Sequence, residues 1–113
     1  MRLASQGKWD EAIQSYRAAL VNPLYATPDL ARFHLGRALA QRGDFQEAME
    51  SLEDAVTANP ASVPPALTHL ELGRVYSKLG YAVKARETLS KVKALDKSGE
   101  YADAATELLA RLK

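Results

Sequence analysis

The chain has 113 residues, of which 47% are hydrophobic and 26% are charged, and its net charge is +1. This length suffices for one domain with a modest core, and the composition is that of a globular protein, not a disordered one. A charge so close to zero creates no field that would attract nucleic acid or an anionic membrane, so neither is expected as a partner. The chain has no cysteine, which excludes disulfides, thiol catalysis and thiolate metal sites.

Targeting and membrane signals are missing from the sequence as it stands. No run of residues is long and apolar enough to span a bilayer, so no direct membrane insertion is expected. The first twelve residues, MRLASQGKWDEA, lack the apolar core of a secretory signal. If the protein is exported, we expect its targeting segment to lie outside this chain.

Six helices are predicted, the first three at about 7–21, 28–41 and 44–58. Between the first two lies VNPLYATPDL, in which Asn22-Pro23 ends one helix. Thr27-Pro28-Asp29 then supplies an N-cap, a first-turn proline and an acidic residue for the next helix. Leu24 and Tyr25 lie between the prolines, and we expect them to form a wedge in the gap between repeats. The alternative is that Tyr25 contacts a partner.

The last three helices are predicted at about 65–79, 82–95 and 99–112. Gly43 and Gly80 are expected to adopt the left-handed conformation that ends a helix, and Asn59-Pro60 ends the third helix. The final helix, EYADAATELLARLK, has apolar residues on one side and charged residues opposite them. That pattern is typical of a helix that caps the open end of a stack.

An internal repeat relates these helices. The segments GKWDEAIQSYRAAL, GDFQEAMESLEDAV and GYAVKARETLSKVK each begin with Gly, have Ala five residues later, and have an apolar or small residue four and seven positions after that Ala. Upstream of the last two, RFHLGRALAQRG and HLELGRVYSKLG share Leu-Gly-Arg, at residues 35–37 and 72–74. The first segment has no such block before it.

This pattern resembles the tetratricopeptide repeat (TPR) family. The motif positions are Leu35, Gly36, Leu39, Gly43, Phe45, Ala48, Leu52, Ala55 and Pro60 in one repeat, and Leu72, Gly73, Tyr76, Gly80, Ala85, Leu89 and Val92 in the next. The resemblance implies an all-α helix-turn-helix solenoid, a right-handed superhelix, as a single domain over residues 1–113. Its parts would be a partial first repeat (1–24), a second repeat (29–62), a third repeat (66–97) and a capping helix (99–112). Only residues 1–6 would remain of the first repeat's first helix.

Few groups in the sequence could converge on a catalytic or metal site. His34 and His69 are the only histidines, one in each repeat, and neither has a partner at ligand spacing. The acidic residues of EAMESLEDAV recur every three or four positions, which predicts a solvated helix face. Trp9, Tyr16 and Phe45 fall at core positions of the repeat. With no phosphate-binding loop or nucleophile motif either, we expect no enzyme, no catalytic residue, no metal and no cofactor.

The TPR resemblance implies a concave groove, lined by the first helix of each pair, that binds a protein or peptide partner. The implied groove residues are Leu30, Phe33, Arg37, Ala40, Gln41, Leu67, Leu70, Arg74, Ser77 and Lys78. An apolar strip of Phe33 and Leu70 would lie beside a basic strip, suiting a partner with carboxylates and apolar side chains. The alternative is that these residues bury against a neighbouring repeat or the capping helix. Phe33 occupies a position where chaperone-binding TPRs carry a lysine, so a chaperone is not the expected partner.

The element NPLY, at residues 22–25 directly before a repeat, resembles the pilotin lipoproteins of type IV pilus biogenesis. In that family a periplasmic TPR protein is tethered to the outer membrane by a lipidated N-terminal cysteine and helps the pilus secretin to assemble. The resemblance implies that the chain is the C-terminal part of such a protein, with a secretin subunit as partner. The alternative is a generic TPR scaffold or adaptor, cytoplasmic or periplasmic. The apolar side of helix 7–21, in a half repeat, would also favour self-association.

Overall fold

The computed structural model describes residues 4–96 and 99–112. Its six helices are α1 (Ala4–Leu20), α2 (Pro28–Arg42), α3 (Phe45–Val56), α4 (Pro65–Leu79), α5 (Ala82–Leu95) and α6 (Glu100–Arg111). Every predicted helix is present, with its ends within three residues of the predicted ones, and the all-α helix-turn-helix fold class is confirmed. Within the described residues no helix is long and apolar enough to cross a bilayer.

The chain forms two compact units, Met1–Ser62 and Val63–Lys113. In the first unit, α2 packs against both α1 and α3. In the second unit, α4 packs against α5, and α6 contacts both of them. The boundary lies between the predicted second and third repeats, and the expectation of a single domain stays a prediction.

Each unit contains a helical hairpin whose two helices meet at a glycine. A β-carbon on Gly36 would lie 2.6 Å from Cγ of Leu52, and a β-carbon on Gly73 would lie 2.7 Å from Cγ of Leu89. Both leucines are buried, with 1% and 0% of their surface exposed. Because any larger residue would overlap the leucine, the glycine sets how closely the helices approach.

A left-handed glycine ends the first helix of each hairpin, as predicted. Gly43 has φ +95° and Gly80 has φ +82°. The next amide then donates back over the last turn, from Asp44 N to Leu39 O at 2.8 Å and from Tyr81 N to Tyr76 O at 2.9 Å. This is the Schellman pattern, and it satisfies carbonyls that the helix itself leaves unpaired.

The start of α2 differs from the prediction, because the side chain that makes hydrogen bonds there is that of Asp29 and not that of Thr27. α2 begins at Pro28 as expected, but the side chain of Thr27 makes no capping hydrogen bond. The carboxylate of Asp29 instead accepts hydrogen bonds from Ser62, from the backbone N–H at 2.7 Å and from the hydroxyl at 2.8 Å. Burial disfavours the ionised carboxylate, but the hydrogen bonds from Ser62, together with those from the backbone N–H groups of Asp29 and Leu30, outweigh it and hold the pKa of Asp29 below its ordinary value. Asp29 therefore ties the end of the repeat back to its first turn.

The expected wedge between the first two repeats is wrong. Leu24 is 88% exposed and Tyr25 is 36% exposed, so neither fills a gap in the core. The cause is a tight turn around Asn22, whose side-chain oxygen accepts from Leu24 N at 3.0 Å and whose carbonyl accepts from Tyr25 N at 3.1 Å. Such a turn closes the connector on itself and leaves its side chains at the surface.

The start of the chain also departs from the repeat pattern. α1 begins at Ala4 and runs through Gly7, so residues 4–6 continue α1 instead of belonging to a separate helix. Nothing lies within 4 Å of the β-carbon position of Gly7, so no contact breaks the helix there. A glycine inside a helix costs only about 1 kcal/mol, which the surrounding turns can offset. Residues 1–3 and Lys97, at the ends of the predicted first and third repeats, lie outside the described residues.

The two kinds of glycine give a first prediction about stability. Gly36→Ala should lower the free energy of unfolding by about 1–3 kcal/mol, because the added methyl must displace Leu52. Gly7→Ala is the matched control, since the same methyl meets open space and improves helix propensity by up to about 1 kcal/mol. Urea unfolding followed by far-UV circular dichroism measures both. A Gly36→Ala chain as stable as Gly7→Ala would contradict the packing described here.

Candidate functional site

The structure divides the predicted groove residues between the two units, and each set is described by itself. The α2 set is Leu30, Phe33, Arg37 and Gln41, and the α4 set is Leu67, Leu70, Arg74 and Lys78. Tyr25, the predicted linker contact, lies in the connector before α2.

The apolar strip expected from Phe33 and Leu70 is wrong, because both residues lie in the core. Phe33 is 2% exposed and Leu70 is 3% exposed, so neither can touch a partner. Each lies three residues before a buried glycine, on the side of its helix that faces the interior. Leu70 packs in a cluster with Ala105 of α6. This is the alternative given above, in which a predicted groove residue is buried against the capping helix. Leu30 and Leu67 are half-buried.

The polar members of both sets are at the surface. Arg37 and Arg74 follow the buried glycines directly, and Gln41 and Lys78 lie one turn further on. Successive residues of a helix point about 100° apart, and at both positions the residue that follows the glycine lies on the side that faces solvent. The guanidinium of Arg37 lies 5.6 Å from the ring centre of Phe33, and the side chain of Arg74 is 46% exposed. These residues are accessible, and their role in binding stays a prediction.

The first unit has a cavity of about 220 Å³ between α1 and α2. Its lining residues are Trp9, Ala12, Tyr16, His34, Arg37, Ala38 and Gln41. Trp9 and Tyr16 were expected in the core but are only half-buried, because α1 packs against α2 and no second helix covers its other side in the part of the chain that the structure describes. The ring of Tyr16 stacks on His34, with centroids 5.5 Å apart and planes at 19°.

These surroundings disfavour the protonated form of His34. Partial burial lowers the pKa of His34 below its ordinary value of 6.5, and the positive charge of Arg37 one turn along α2 lowers it further. A neutral imidazole can both accept and donate a hydrogen bond. The cavity therefore combines an aromatic wall, an imidazole and one exposed cation.

Ion pairs fix the walls of this cavity. Arg42, at the end of α2, pairs with Asp10 of α1 at 2.9 Å and with Asp44, before α3, at 2.5 Å. Arg17 of α1 also pairs with Glu47 of α3. Because Arg42 and Asp10 are largely shielded from solvent, their pair orients α1 more firmly than a fully exposed pair would.

The second unit has a larger cavity, of about 380 Å³, between α4 and α6. Its lining residues are Arg74, Ser77, Lys78, Leu108, Arg111 and Leu112. The α4 residues were among the predicted groove residues, whereas those of α6 were not predicted, because this helix was interpreted only as a cap. A signal was present, because Leu109-Ala110-Arg111 repeats the Leu-Gly-Arg blocks at 35–37 and 72–74 with the same spacing from the block before it.

Neither cavity resembles a metal centre. Among the residues that the structure describes, no group of three or more His, Cys, Asp or Glu side chains could hold a metal ion. What both cavities offer is arginine beside aromatic or aliphatic surface.

Comparison with known families agrees with the repeat pattern. Two family models described as tetratricopeptide repeat match the chain, one over residues 1–63 and the other over residues 39–112. The first match alone covers more than half of the chain. No curated protein matches it.

The environment of His34 gives a second prediction, on pH dependence. Because the pKa of His34 is lower in the folded chain than its ordinary value of 6.5, folding disfavours the protonated imidazole. The contribution of neutral His34 to the free energy of unfolding is therefore complete at pH values above the ordinary pKa. It is lost as the pH falls through the pKa of the folded chain. An NMR titration of the imidazole protons, assigned with His34→Gln, should find the pKa of His34 lowered.

Arg37→Gln tests the cause, because removing the positive charge should raise the pKa of His34 towards the ordinary value. If His34 titrates at or above 6.5 in the unmodified chain, the burial described here is contradicted. If Arg37→Gln leaves the titration unchanged, the electrostatic cause is contradicted.

Proposed function

Because the chain belongs to the tetratricopeptide repeat family, a family of protein-interaction modules, we propose that it binds partner proteins through the exposed side of α2 in one unit and the exposed side of α4 in the other. The proposed role is to hold proteins together without catalysis. The observation that carries this proposal is the equivalent placement of Arg37 and Arg74, each at the surface directly after a glycine buried against a leucine.

The chemistry of these positions favours a partner with carboxylates. A guanidinium presents a planar fork of donors that matches a carboxylate in two parallel hydrogen bonds. Arg37 lies against the ring of Phe33, which limits the positions its side chain can take. Less side-chain entropy is then lost when a partner binds. Gln41 and Lys78 extend each surface by one helical turn with further donors.

The element NPLY supports a narrower proposal within this role. The chain would be part of a periplasmic assembly factor, tethered to the outer membrane in the full-length protein, that binds a type IV pilus secretin subunit. The apolar side chains of this element, Leu24 and Tyr25, are at the surface and accessible to a partner. A scaffold or adaptor unrelated to pili is the other proposal. A signal sequence ending at a lipidated cysteine in the gene upstream would favour the secretin role, whereas a cytoplasmic catalytic domain there would exclude it.

A charge-reversal experiment gives the third prediction. Arg37→Glu combined with Arg74→Glu should weaken partner capture by at least about tenfold, because two charge-assisted contacts become repulsive. Lys8→Glu combined with Lys91→Glu is the matched control, with the same change in net charge at exposed positions of α1 and α5. Partners are captured from an extract of the source cells, identified by mass spectrometry and quantified for each variant.

Circular dichroism should show that all these variants remain folded, since the substituted side chains lie at the surface. Equal capture by the arginine variant and the unmodified chain would refute the proposed surface. A secretin subunit among the partners lost would support the narrower role, and partners that include none would refute it.

A further inference from the structure

α6 is fixed in place at both of its ends. At the start, one carboxylate oxygen of Asp96 accepts from the N–H groups of Tyr101 at 3.1 Å and Ala102 at 3.3 Å. At the end, the guanidinium of Arg86 on α5 donates to the carbonyl of Leu112 at 3.1 Å. Between the two ends, Ala105 is completely buried. The helix is therefore held in one position against α4 and α5 and can form a preorganised wall.

The floor of the cavity between α4 and α6 is apolar. Leu108 and Leu112 pack against the core cluster of Ala66, Leu70, Leu89, Val92 and Ala105. Their remaining surface lines the cavity, so neither leucine is fully covered by the chain itself. A partner's apolar side chain could remove this surface from water, which is favourable in proportion to the area buried.

The rim of the same cavity is basic. Arg74, Lys78 and Arg111 all line it, and none of its described lining residues is acidic, although Glu107 lines the adjoining space that shares Arg74, Leu108 and Arg111. Arg74 has Glu71 at 4.0 Å and Arg111 has Glu107 at 3.2 Å, in pairs whose arginines are 46% and 71% exposed. Exposed pairs of this kind contribute little to stability, so both guanidinium groups can exchange these contacts for a partner's carboxylates.

From this combination we infer that the cavity between α4 and α6 binds an acidic segment of a partner protein with one large apolar side chain between its carboxylates. The apolar side chain would lie on Leu108 and Leu112, and the flanking carboxylates would pair with Arg74, Lys78 and Arg111. The volume of about 380 Å³ is within the range of about 300–1,000 Å³ that small binding sites occupy. α6 is then half of a binding site as well as a cap. The inference rests on the proposed function and names the kind of partner and the second wall of the site.

An NMR titration tests this inference. The probe is a blocked synthetic peptide, Gly-Ser-Asp-Glu-Leu-Asp-Glu-Ser-Gly, added to the full chain labelled with ¹⁵N. Amide shifts should change at residues 74–78 and 108–112. Replacing the peptide's leucine with serine should weaken binding by about tenfold, because the apolar contact is lost. Replacing its carboxylates with amides should abolish detectable binding at physiological salt.

Variants of the chain separate this site from the surface in the proposed function. Arg111→Glu should weaken peptide binding by at least about tenfold, while Lys91→Glu, an equal charge change on α5, should change it by less than about twofold. Arg111 is exposed and was not used in the proposed function, so circular dichroism of Arg111→Glu should match the unmodified chain.

Several results would overturn the inference. One is that no amide shift changes at millimolar concentrations of peptide. Another is that Arg111→Glu leaves peptide binding unaffected. Shift changes confined to α2, around Arg37 and Gln41, would overturn it while leaving the proposed function standing. If sedimentation shows self-association and the same cavity residues shift on dilution of the chain alone, the occupant is a second copy and the inference is wrong.

Discussion

The contact between a glycine on one helix and a leucine on the next is the interaction on which both units depend. Gly36 with Leu52 and Gly73 with Leu89 bring the helices of each hairpin so close that no side chain fits between them. The same contact orients the surface. With the glycine facing the interior, the arginine that follows it lies about 100° further round the helix, on the side that faces solvent. Core packing and the candidate binding residues are therefore consequences of one short sequence block that occurs twice.

Much of the fold could be predicted because its boundaries depend on local chemistry. Gly43 and Gly80 end helices through a backbone conformation that glycine favours, and proline starts α2 and α4 at the expected residues. The outward direction of Leu24 and Tyr25 could not be predicted in this way. It depends on how the side chain of Asn22 closes the connector, and apolar composition alone does not reveal that geometry.

The candidate site was predictable only in part, for a related reason. Helical spacing places Phe33, Arg37 and Gln41 near one another, but a difference of one residue in the assumed face decides whether an aromatic ring is exposed or buried. Phe33 is buried, and the accessible apolar surface comes instead from Trp9 and Tyr16 of α1 and from Leu108 and Leu112 of α6. Both of these helices lie outside the complete hairpins, and the signal for α6 was weaker, because its block has Ala110 in place of the glycine.

A nuclear Overhauser experiment can show whether the same glycine–leucine contact builds both hairpins. The structure predicts strong cross-peaks between the α-protons of Gly36 and the methyl groups of Leu52, and equally between Gly73 and Leu89, because these groups are in van der Waals contact. Absence of the cross-peaks in either hairpin, with the leucine methyls showing contacts elsewhere, would contradict the packing from which the arginine surfaces follow.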